Sequence, residues 1–272
     1  MKSVSYIHRP NRPLHVYALL YLAFLYIPVL FLPLFSFNDS IYISFPLKGF
    51  TTKWYASMIG NEPMLAALLN SVKVGTATAL FATILGIFGA KAVTRYRLPG
   101  QKPIVFIIML PLVIPGIILG VALLILMSRI GVSLSLYTVA LGHILISVPF
   151  AMATMIPRFE GFDRSMEEAS ADLGENSLWT FWRVTFPIMF PGVLASLLLC
   201  FTISFDEFIM AFFLAGTDPT LPIFIYSQLR FPQYLPGVLA LGACILVISF
   251  FVVFLSQWLR HRGTPDDTNV GI

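Results

Sequence analysis

Six long apolar stretches constrain the fold of this 272-residue chain more than any other feature. They cover residues 14–37, 66–90, 103–127, 136–156, 188–214 and 237–258. A helix of about 20 apolar residues crosses the hydrocarbon core of a bilayer. The composition, 58% hydrophobic and 11% charged, also leaves too little polar surface for a water-soluble protein. We therefore expect lipid to be the solvent for most of the chain, and a soluble enzyme is excluded.

The stretches predict helices and not strands. Only helices and closed barrels satisfy all their backbone polar groups in hydrocarbon, and runs of this length lack the two-residue alternation of a membrane barrel. We predict one all-α transmembrane domain over residues 1–272, with the first stretch retained as a span and not cleaved as a signal peptide. Cys200 and Cys244 lie inside apolar runs, so no disulfide framework is indicated.

The distribution of Lys and Arg predicts the orientation of the six spans. An even number of spans puts both termini on one side. Twelve basic residues lie in the tails and in loops 91–102 and 157–187, against four in the loops of the opposite side. Because cytoplasmic segments carry the basic excess, we expect both termini and the 157–187 loop in the cytoplasm. The net charge of +4 follows this bias and does not indicate nucleic-acid binding.

The third span contains Pro111, Pro115 and Gly116 near its middle. Proline lacks a backbone N–H and clashes with the preceding turn, so the hydrogen-bond ladder is expected to break there. Broken spans often line a transport path, which makes these three residues candidates for a gate. The alternative is a simple kink that packs against neighbouring helices through Gly116 and Gly120.

The 157–187 loop is predicted to begin with a short helix. Ser165 and Glu168 have the spacing of a capping box, and Gly174 provides a C-terminal stop. The residues expected on one face of this helix are Met166, Ala169 and Leu173.

A second short helix is predicted from Leu178 to Phe186, with Asn176 or Ser177 as its cap and Pro187 as its end. Two helices joined at a glycine form a compact element, which we call the knob (residues 163–186). The 157–187 loop also holds six of the 13 acidic residues of the chain. This segment is therefore a built element and not a slack connection.

The knob resembles the signature of the inner-membrane permeases of binding-protein-dependent ABC importers. That signature reads Glu-Ala-Ala, three residues, Gly, nine residues, then Ile-x-Leu-Pro. The matching residues, with every spacing kept, are Glu168-Ala169-Ser170, Gly174 and Val184-Thr185-Phe186-Pro187. The resemblance implies the type I ABC importer permease fold, in which six transmembrane helices form half of a permease pair. It also implies that the knob couples to a separate ATPase through Glu168, Ala169, Ser170, Gly174 and Pro187.

Three further segments resemble the spermidine/putrescine branch of this family. They are Phe50-Thr51-Thr52-Lys53-Trp54-Tyr55, Ser204-Phe205-Asp206-Glu207, and Leu221-Pro222 with Ile225-Tyr226-Ser227. The resemblance implies a bacterial inner-membrane complex with a second, homologous permease chain, two ATPase subunits and an external solute-binding protein. No Gly-x-x-x-x-Gly-Lys-Ser/Thr run is present in the sequence. We therefore expect ATP and Mg²⁺ on the partner ATPase and no cofactor on this chain.

Asp206 and Glu207 lie inside the otherwise apolar fifth span. An unpaired carboxylate there costs at least about 2.5 kcal/mol, which favours a functional role. We predict a substrate path for a cationic solute at these acids, with Phe205 and Thr202 beside them. The alternative is a structural ion pair with Lys73, the one basic residue inside a span. Since adjacent helical residues project about 100° apart, Asp206 is expected on the face of Thr202, Ile209 and Met210, and Glu207 on the face of Ser204.

The sequence leaves alternatives open for the solute and for the class of protein. In the polyamine branch an acid often follows the second proline of the third span, where this chain has Gly116. A short diamine or another amine solute, such as an opine or amino-acid derivative, therefore competes with spermidine. A proton-coupled secondary transporter and an intramembrane hydrolase using the two acids are rival classes. His143 is interpreted as a packing residue, and no metal-ligand spacing is present.

Overall fold

The computed structural model describes residues 12–96 and 99–263, with backbone only for Arg12 and for residues 252–263. The described chain is helical, and its strand-like pairing is limited to one bridge between Asn38 and Phe50. The predicted all-α class is therefore confirmed. Lys2, Arg9 and Arg97, which contribute to the predicted orientation, lie outside the described residues. The α-helices are α1 (Arg12–Ser36), α2 (Lys53–Ile59), α3 (Glu62–Arg95), α4 (Gln101–Met109), α5 (Gly116–Arg129), α6 (Leu136–Glu160), α7 (Ser165–Asp172), α8 (Ser177–Thr180), α9 (Phe186–Asp206), α10 (Ile209–Leu214), α11 (Leu221–Gln228) and α12 (Leu235–Gly263).

Each predicted stretch overlaps a helix or helix pair that could cross a membrane, although the fifth, predicted as 188–214, is found as Ser177–Asp206. Five helical segments of the described chain are long and apolar enough, namely Pro13–Ser36, Glu62–Arg95, Leu136–Glu160, Ser177–Asp206 and Pro232–Phe251. The third stretch forms a pair, Gln101–Leu112 and Gly116–Arg129, bent by 101°. Six spans result when the bent pair counts as one.

The chain forms two compact units, of which the first comprises residues 1–62 and 228–272. Within it, α1 and α2 both pack against α12. The connection between α1 and α2 is organised around the buried Asn38. Its Oδ1 accepts the Lys48 backbone N–H at 3.0 Å, and its carbonyl accepts the Trp54 indole N–H at 2.9 Å. The segment that resembles the polyamine branch, residues 50–55, thus contributes to the packing of this unit.

The second unit comprises residues 63–227 and carries all of the predicted site residues. Its centre is the contact of α6 with α3 and α9, where small side chains let the backbones approach closely. A Cβ at Gly86 of α3 would lie 2.4 Å from the Ala151 Cβ on α6. Buried hydroxyls also pair across the interface, since the Thr83 and Ser196 oxygens are 3.1 Å apart. An apolar cluster at one end of these helices underlies the knob, and its buried members are Ile87, Ala90, Met155, Phe159, Phe162, Met189 and Val193.

The second knob helix does not end at Pro187, so that prediction is wrong. Helix α8 passes through a π-helix, Phe181–Thr185, directly into α9. The Phe186 backbone N–H donates to the Phe181 carbonyl, five residues back. This wider turn precedes the proline, which lies in the first turn of α9, where its missing N–H is tolerated. Ser177–Asp206 is therefore one continuous 30-residue rod, which we call the fifth-span rod.

Candidate functional site

The first knob helix begins differently from the predicted capping box. Helix α7 starts at Ser165, its N-cap position is Arg164, and no side chain of that residue caps the helix. The Asp163 carboxylate accepts the Ser165 backbone N–H at 2.9 Å. This bond and a second one with the Ser165 side chain lower the pKa of Asp163 below its usual value. Ser165 therefore lies in the first turn, and a charged acceptor two residues earlier takes the capping role.

The end of α7 and the start of α8 follow the sequence prediction. Gly174 has φ of 86°, a left-handed conformation that favours glycine. The Glu175 N–H donates to the Ser170 carbonyl and the Gly174 N–H to the Ala171 carbonyl, which is the Schellman pattern. The Asn176 side chain then caps α8 by accepting the backbone N–H groups of Leu178 and Trp179. The predicted stop and the predicted cap are both confirmed.

The knob exposes several large apolar side chains. Leu173 is 86% exposed, and large apolar side chains beside it are also exposed, namely Met166, Leu178, Trp179 and Trp182. Glu168 and Ala169 are exposed on the same element, whereas Ser170 is buried and its hydroxyl lies 3.0 Å from that of Thr180. Large apolar side chains exposed next to one another are typical of a docking site for another protein.

Glu167, next to the signature residue Glu168, points inward. Its side chain is 18% exposed and its Oε1 accepts the Thr185 hydroxyl at 2.7 Å. Lys91 and Arg95 of α3 lie 4.0 Å and 3.6 Å from its two carboxylate oxygens. Sequence reasoning assigned no role to Glu167. An indication was available, because Lys91 and Arg95 lie one helical turn apart at the end of α3 and favour an acidic side chain nearby.

The fifth span breaks at the two predicted acids. Asp206 is the last residue of α9, and Glu207 follows in an extended conformation with ψ of 114°. The Glu207 Oε1 accepts the N–H groups of Ile209 and Met210, at 2.9 Å and 3.1 Å, and so caps α10. The expectation that Asp206 shares a helical face with Ile209 and Met210 is wrong. Glu207 likewise shares no face with Ser204, because the helix ends between them.

The aromatic side chains around the break form two groups. Phe201 and Phe205 stack with ring centroids 5.7 Å apart on the last turns of α9. Beyond the break, Phe208 contacts Phe212 and Tyr226, with centroids 5.5 Å and 4.9 Å away. Thr202 is exposed beside Asp206, although its hydroxyl donates to a carbonyl of its own helix. Exposed carboxylate, hydroxyl and aromatic groups thus adjoin at the break.

The third span is broken where its prolines predicted. After α4 a 3₁₀ turn, Leu110–Leu112, precedes a gap in the ladder, and α5 begins at Gly116. Helix α5 packs against α10, so the two broken spans meet. A Cβ at Gly116 would be in ordinary contact with Ile209, at 3.9 Å, whereas one at Gly120 would lie 2.7 Å from the Phe213 ring. Of the two glycines offered as packing contacts, Gly120 is therefore the tight one.

Lys73 does not pair with either acid of the fifth span within 4.0 Å in the described part of the chain. It is exposed, and it lines a cavity that Asp218 also lines. The alternative interpretation, a structural ion pair of Lys73 with Asp206 or Glu207, is therefore wrong for this structure. In the described ranges, no three His, Cys, Asp or Glu side chains are grouped as a metal site would require.

Residues 82–263 match the family described as "Binding-protein-dependent transport system inner membrane component". The chain belongs to this family. The spermidine/putrescine transport system permease protein PotC of Escherichia coli K12 is 33% identical over 247 residues, which are 90% of this chain and 93% of that protein. PotC of Haemophilus influenzae Rd is 33% identical over 242 residues, covering 89% and 93%. The putrescine transport system permease protein PotI of Escherichia coli K12 is 32% identical over 256 residues, covering 91% and 90%.

The fold of this permease is also that of a solved importer. It matches a chain of a bacterial ABC transporter involved in the import of the acidic polysaccharide alginate, with a TM-score of 0.70 and 16% sequence identity. The match covers 94% of this chain and 98% of that chain. The predicted family and the type I permease fold are therefore confirmed, and so is the prediction of a transport subunit and not an enzyme.

Family membership also gives the general setting of the permease. Members are multi-pass components of the inner membrane that depend on a binding protein and, as subunits of ABC importers, operate with a partner permease and a separate ATPase. Family membership supports neither of the rival classes, the proton-coupled transporter and the intramembrane hydrolase. Functional roles of individual residues are argued below from their geometry.

Proposed function

We propose that this chain is one permease domain, residues 1–272, that moves polyamine-like or other small amine solutes inward in an ATP-driven importer. The observation that carries the proposal is the fifth-span rod, Ser177–Asp206. At 1.5 Å per residue it is about 45 Å long. One end belongs to the knob and the other carries Asp206 at the helix break. A displacement of the knob can therefore reach Asp206 along one continuous helical segment.

The orientation follows from charge. The excess of Lys and Arg in the tails and in loops 91–102 and 157–187 supports a cytoplasmic location of both termini and of the knob. The knob then faces the compartment that holds ATP. We propose that ATP and Mg²⁺ bind the partner ATPases, two per complex, and that this chain binds no cofactor. A distinct, homologous permease chain completes the path, and an external binding protein delivers the solute.

The exposed apolar surface of the knob is the proposed docking site for one ATPase subunit. Leu173, Leu178 and Trp182 supply an apolar contact, and Glu168 lies exposed beside them as a polar one. Ala169 leaves room for close approach, the Ser170 bond to Thr180 and the Gly174 stop fix the angle between α7 and α8, and Pro187 lies where the knob joins the span. These features support a coupling role for the signature residues.

The meeting of the two broken spans is the proposed solute path. Asp206 supplies the negative charge for an ammonium group, Phe205 and Thr202 flank it, and Glu207 holds the break open by capping α10. Pro111, Pro115 and Gly116 form the opposing gate, since Gly116 faces Ile209. The relatives named for spermidine and putrescine support an amine solute. With Gly116 in place of a second acid, putrescine is favoured over spermidine.

The test is reconstitution of the complete complex in proteoliposomes with ATP inside and the binding protein outside. We expect ATP-dependent uptake of radiolabelled putrescine that spermidine reduces by competition. Glu168→Ala is expected to lower uptake in an intact complex, whereas Glu160→Ala, outside the knob, serves as the matched control. Uptake of an opine or amino-acid derivative but not of either polyamine would reassign the solute. Wild-type uptake by Glu168→Ala would remove this residue from coupling.

A further inference from the structure

The acidic residue of the family signature is Glu168. The contacts with other helices are made by the neighbouring acid, Glu167. Glu168 is exposed, and in the described part of the chain no hydrogen bond or ion pair within 4.0 Å is formed by its carboxylate. Glu167 is half-buried; its Oε1 contacts Thr185 and Lys91, and its Oε2 contacts Arg95. Of the two adjacent acids, Glu167 therefore contacts the rest of the chain, whereas Glu168 is left exposed to a partner.

The inward side of α7 reaches the fifth-span rod. The hydroxyl of Thr185, a residue with no exposed surface, donates to the Glu167 Oε1 at 2.7 Å. Thr185 is the last residue of the π-helix, the one irregular turn within the rod. A hydrogen bond to an ionised carboxylate is shorter and stronger than a neutral one. Helix α7 is thus bonded to the rod at its π-helical turn, a kind of irregularity often found at functional sites.

The same carboxylate also reaches α3. Lys91 and Arg95, one helical turn apart, lie 4.0 Å and 3.6 Å from Glu167, and all three side chains are less than one-fifth exposed. Arg95 is further held because its Nη2 donates to the Phe162 carbonyl at 3.1 Å, while Arg164 donates to the Arg95 carbonyl at 3.2 Å. Helix α3 is therefore tied to the loop that leads into α7 as well as to α7 itself.

We propose that Glu167 is the positioning residue that carries the displacement of the knob to α3 and to the fifth-span rod. Glu168 contacts the ATPase, and Glu167 passes the movement inward. This inference rests on the proposed function, because it assumes that the knob moves when ATP is bound and hydrolysed. A cavity of about 290 Å³ lined by Lys91, Arg95, Arg164 and Glu168 adjoins the contact. It leaves space for α7 to move relative to the end of α3.

The test uses the complete complex and two substitutions that remove different parts of the contact. Glu167→Gln keeps an acceptor for the Thr185 hydroxyl but removes the charge facing Lys91 and Arg95. Thr185→Val keeps the volume and both ion pairs but removes the donor. Glu175→Gln is the matched control, because Glu175 belongs to the same knob and pairs with the exposed Arg183.

The primary readout is the number of putrescine molecules taken up per ATP hydrolysed. We expect Glu167→Gln and Thr185→Val each to lower this ratio about fivefold or more, within the usual range of coupling between sites. Because the two substitutions remove different parts of one contact, the double variant should lower the ratio at least as far as the poorer single variant. Glu175→Gln should retain the wild-type ratio. An unchanged ratio in an intact Thr185→Val complex, or an equal fall in the control, would overturn the inference.

A second readout does not depend on the solute. Thr202→Cys, exposed near the far end of the rod, is alkylated with a maleimide in the resting complex and in the complex trapped with ATP and vanadate. Mass spectrometry of the peptide measures the rate. Trapping should change the rate, and Glu167→Gln should abolish that change.

The outcomes separate the two proposals. A wild-type complex that responds to trapping but takes up no amine refutes the solute assignment and leaves the role of Glu167 standing if the variant abolishes the response. A response that persists in Glu167→Gln refutes that role and leaves the proposed function standing. A wild-type complex without any response to trapping refutes both.

Discussion

The imidazole Nδ1 of His143 lies 2.7 Å from the hydroxyl oxygen of Ser204, and both side chains are buried where α6 packs against α9. Ser204 is two residues before Asp206, the end of the fifth-span rod. The hydrogen bond therefore anchors the last turn of α9 to α6 immediately before the break. His143 is a packing residue with one specific polar contact, which a lone histidine in an apolar span does not reveal.

We expect Ser204→Ala to destabilise the permease by about 1–3 kcal/mol. The substitution removes the partner of the His143 Nδ1, and a buried polar atom left without a partner costs that amount. A lower midpoint of thermal unfolding in detergent would report it. Thr202→Ala is the comparison, because the Thr202 hydroxyl is exposed and bonds only within its own helix, so its midpoint should stay near wild type. Equal midpoints for the two variants would contradict the anchoring role.

Gly86→Ala is expected to destabilise the contact of α3 with α6. The added Cβ would lie 2.4 Å from the Ala151 Cβ and 2.9 Å from its backbone carbon, so the helices must separate. Overpacking of this kind costs about 1–3 kcal/mol. Gly237→Ala in α12 provides the control, since no atom lies within 4 Å of its added Cβ. The measurement is the midpoint of thermal unfolding of both variants in the same detergent. A Gly86→Ala midpoint equal to that of the wild type would show that α3 and α6 separate at little cost.

Asp206 and Glu207 are expected to respond differently to removal of charge. Asp206→Asn should lower putrescine uptake about tenfold or more, because an interaction with a charged group is worth about 1.5–3 kcal/mol. Glu207→Gln should retain most uptake, since its amide oxygen can still accept the N–H groups of Ile209 and Met210. Glu207→Ala should lower stability by about 1 kcal/mol through loss of the cap. An equal loss of uptake in Asp206→Asn and Glu207→Gln would assign the charge role to both acids.

The start of α7 is expected to lose protection in acid. The Ser165 backbone N–H holds the pKa of Asp163 below its ordinary value of 3.8. Because the folded-state pKa is the lower one, the capping stabilisation is complete above that ordinary value and disappears as the pH falls through the lowered pKa. Hydrogen exchange of α7 amides, corrected for intrinsic rates, should show constant protection down to about pH 4 and a loss below it. Asp163→Asn should make protection independent of pH in this range.

Much of the fold could be read from the sequence because the membrane makes hydrophobic length decisive. The six apolar stretches predicted the six spans, and the prolines predicted the break of the third span. Local turn chemistry was also readable, since Gly174 and Asn176 act through atoms of their own backbone segment. The signature spacing identified the family before any geometry was considered.

What only the tertiary structure decided depends on contacts between residues distant in sequence. Propensity did not reveal that a π-helix would carry the chain past Pro187 or that Glu207 would cap a new helix instead of continuing the old one. Nor did it reveal that the two broken spans would meet at Gly116 and Ile209. The inward role of Glu167 depends on bases 72 and 76 positions earlier and on Thr185, 18 positions later. The sequence by itself determined which segments cross the membrane, because burial in lipid depends on composition, whereas the pairing of polar groups depends on which helices become neighbours.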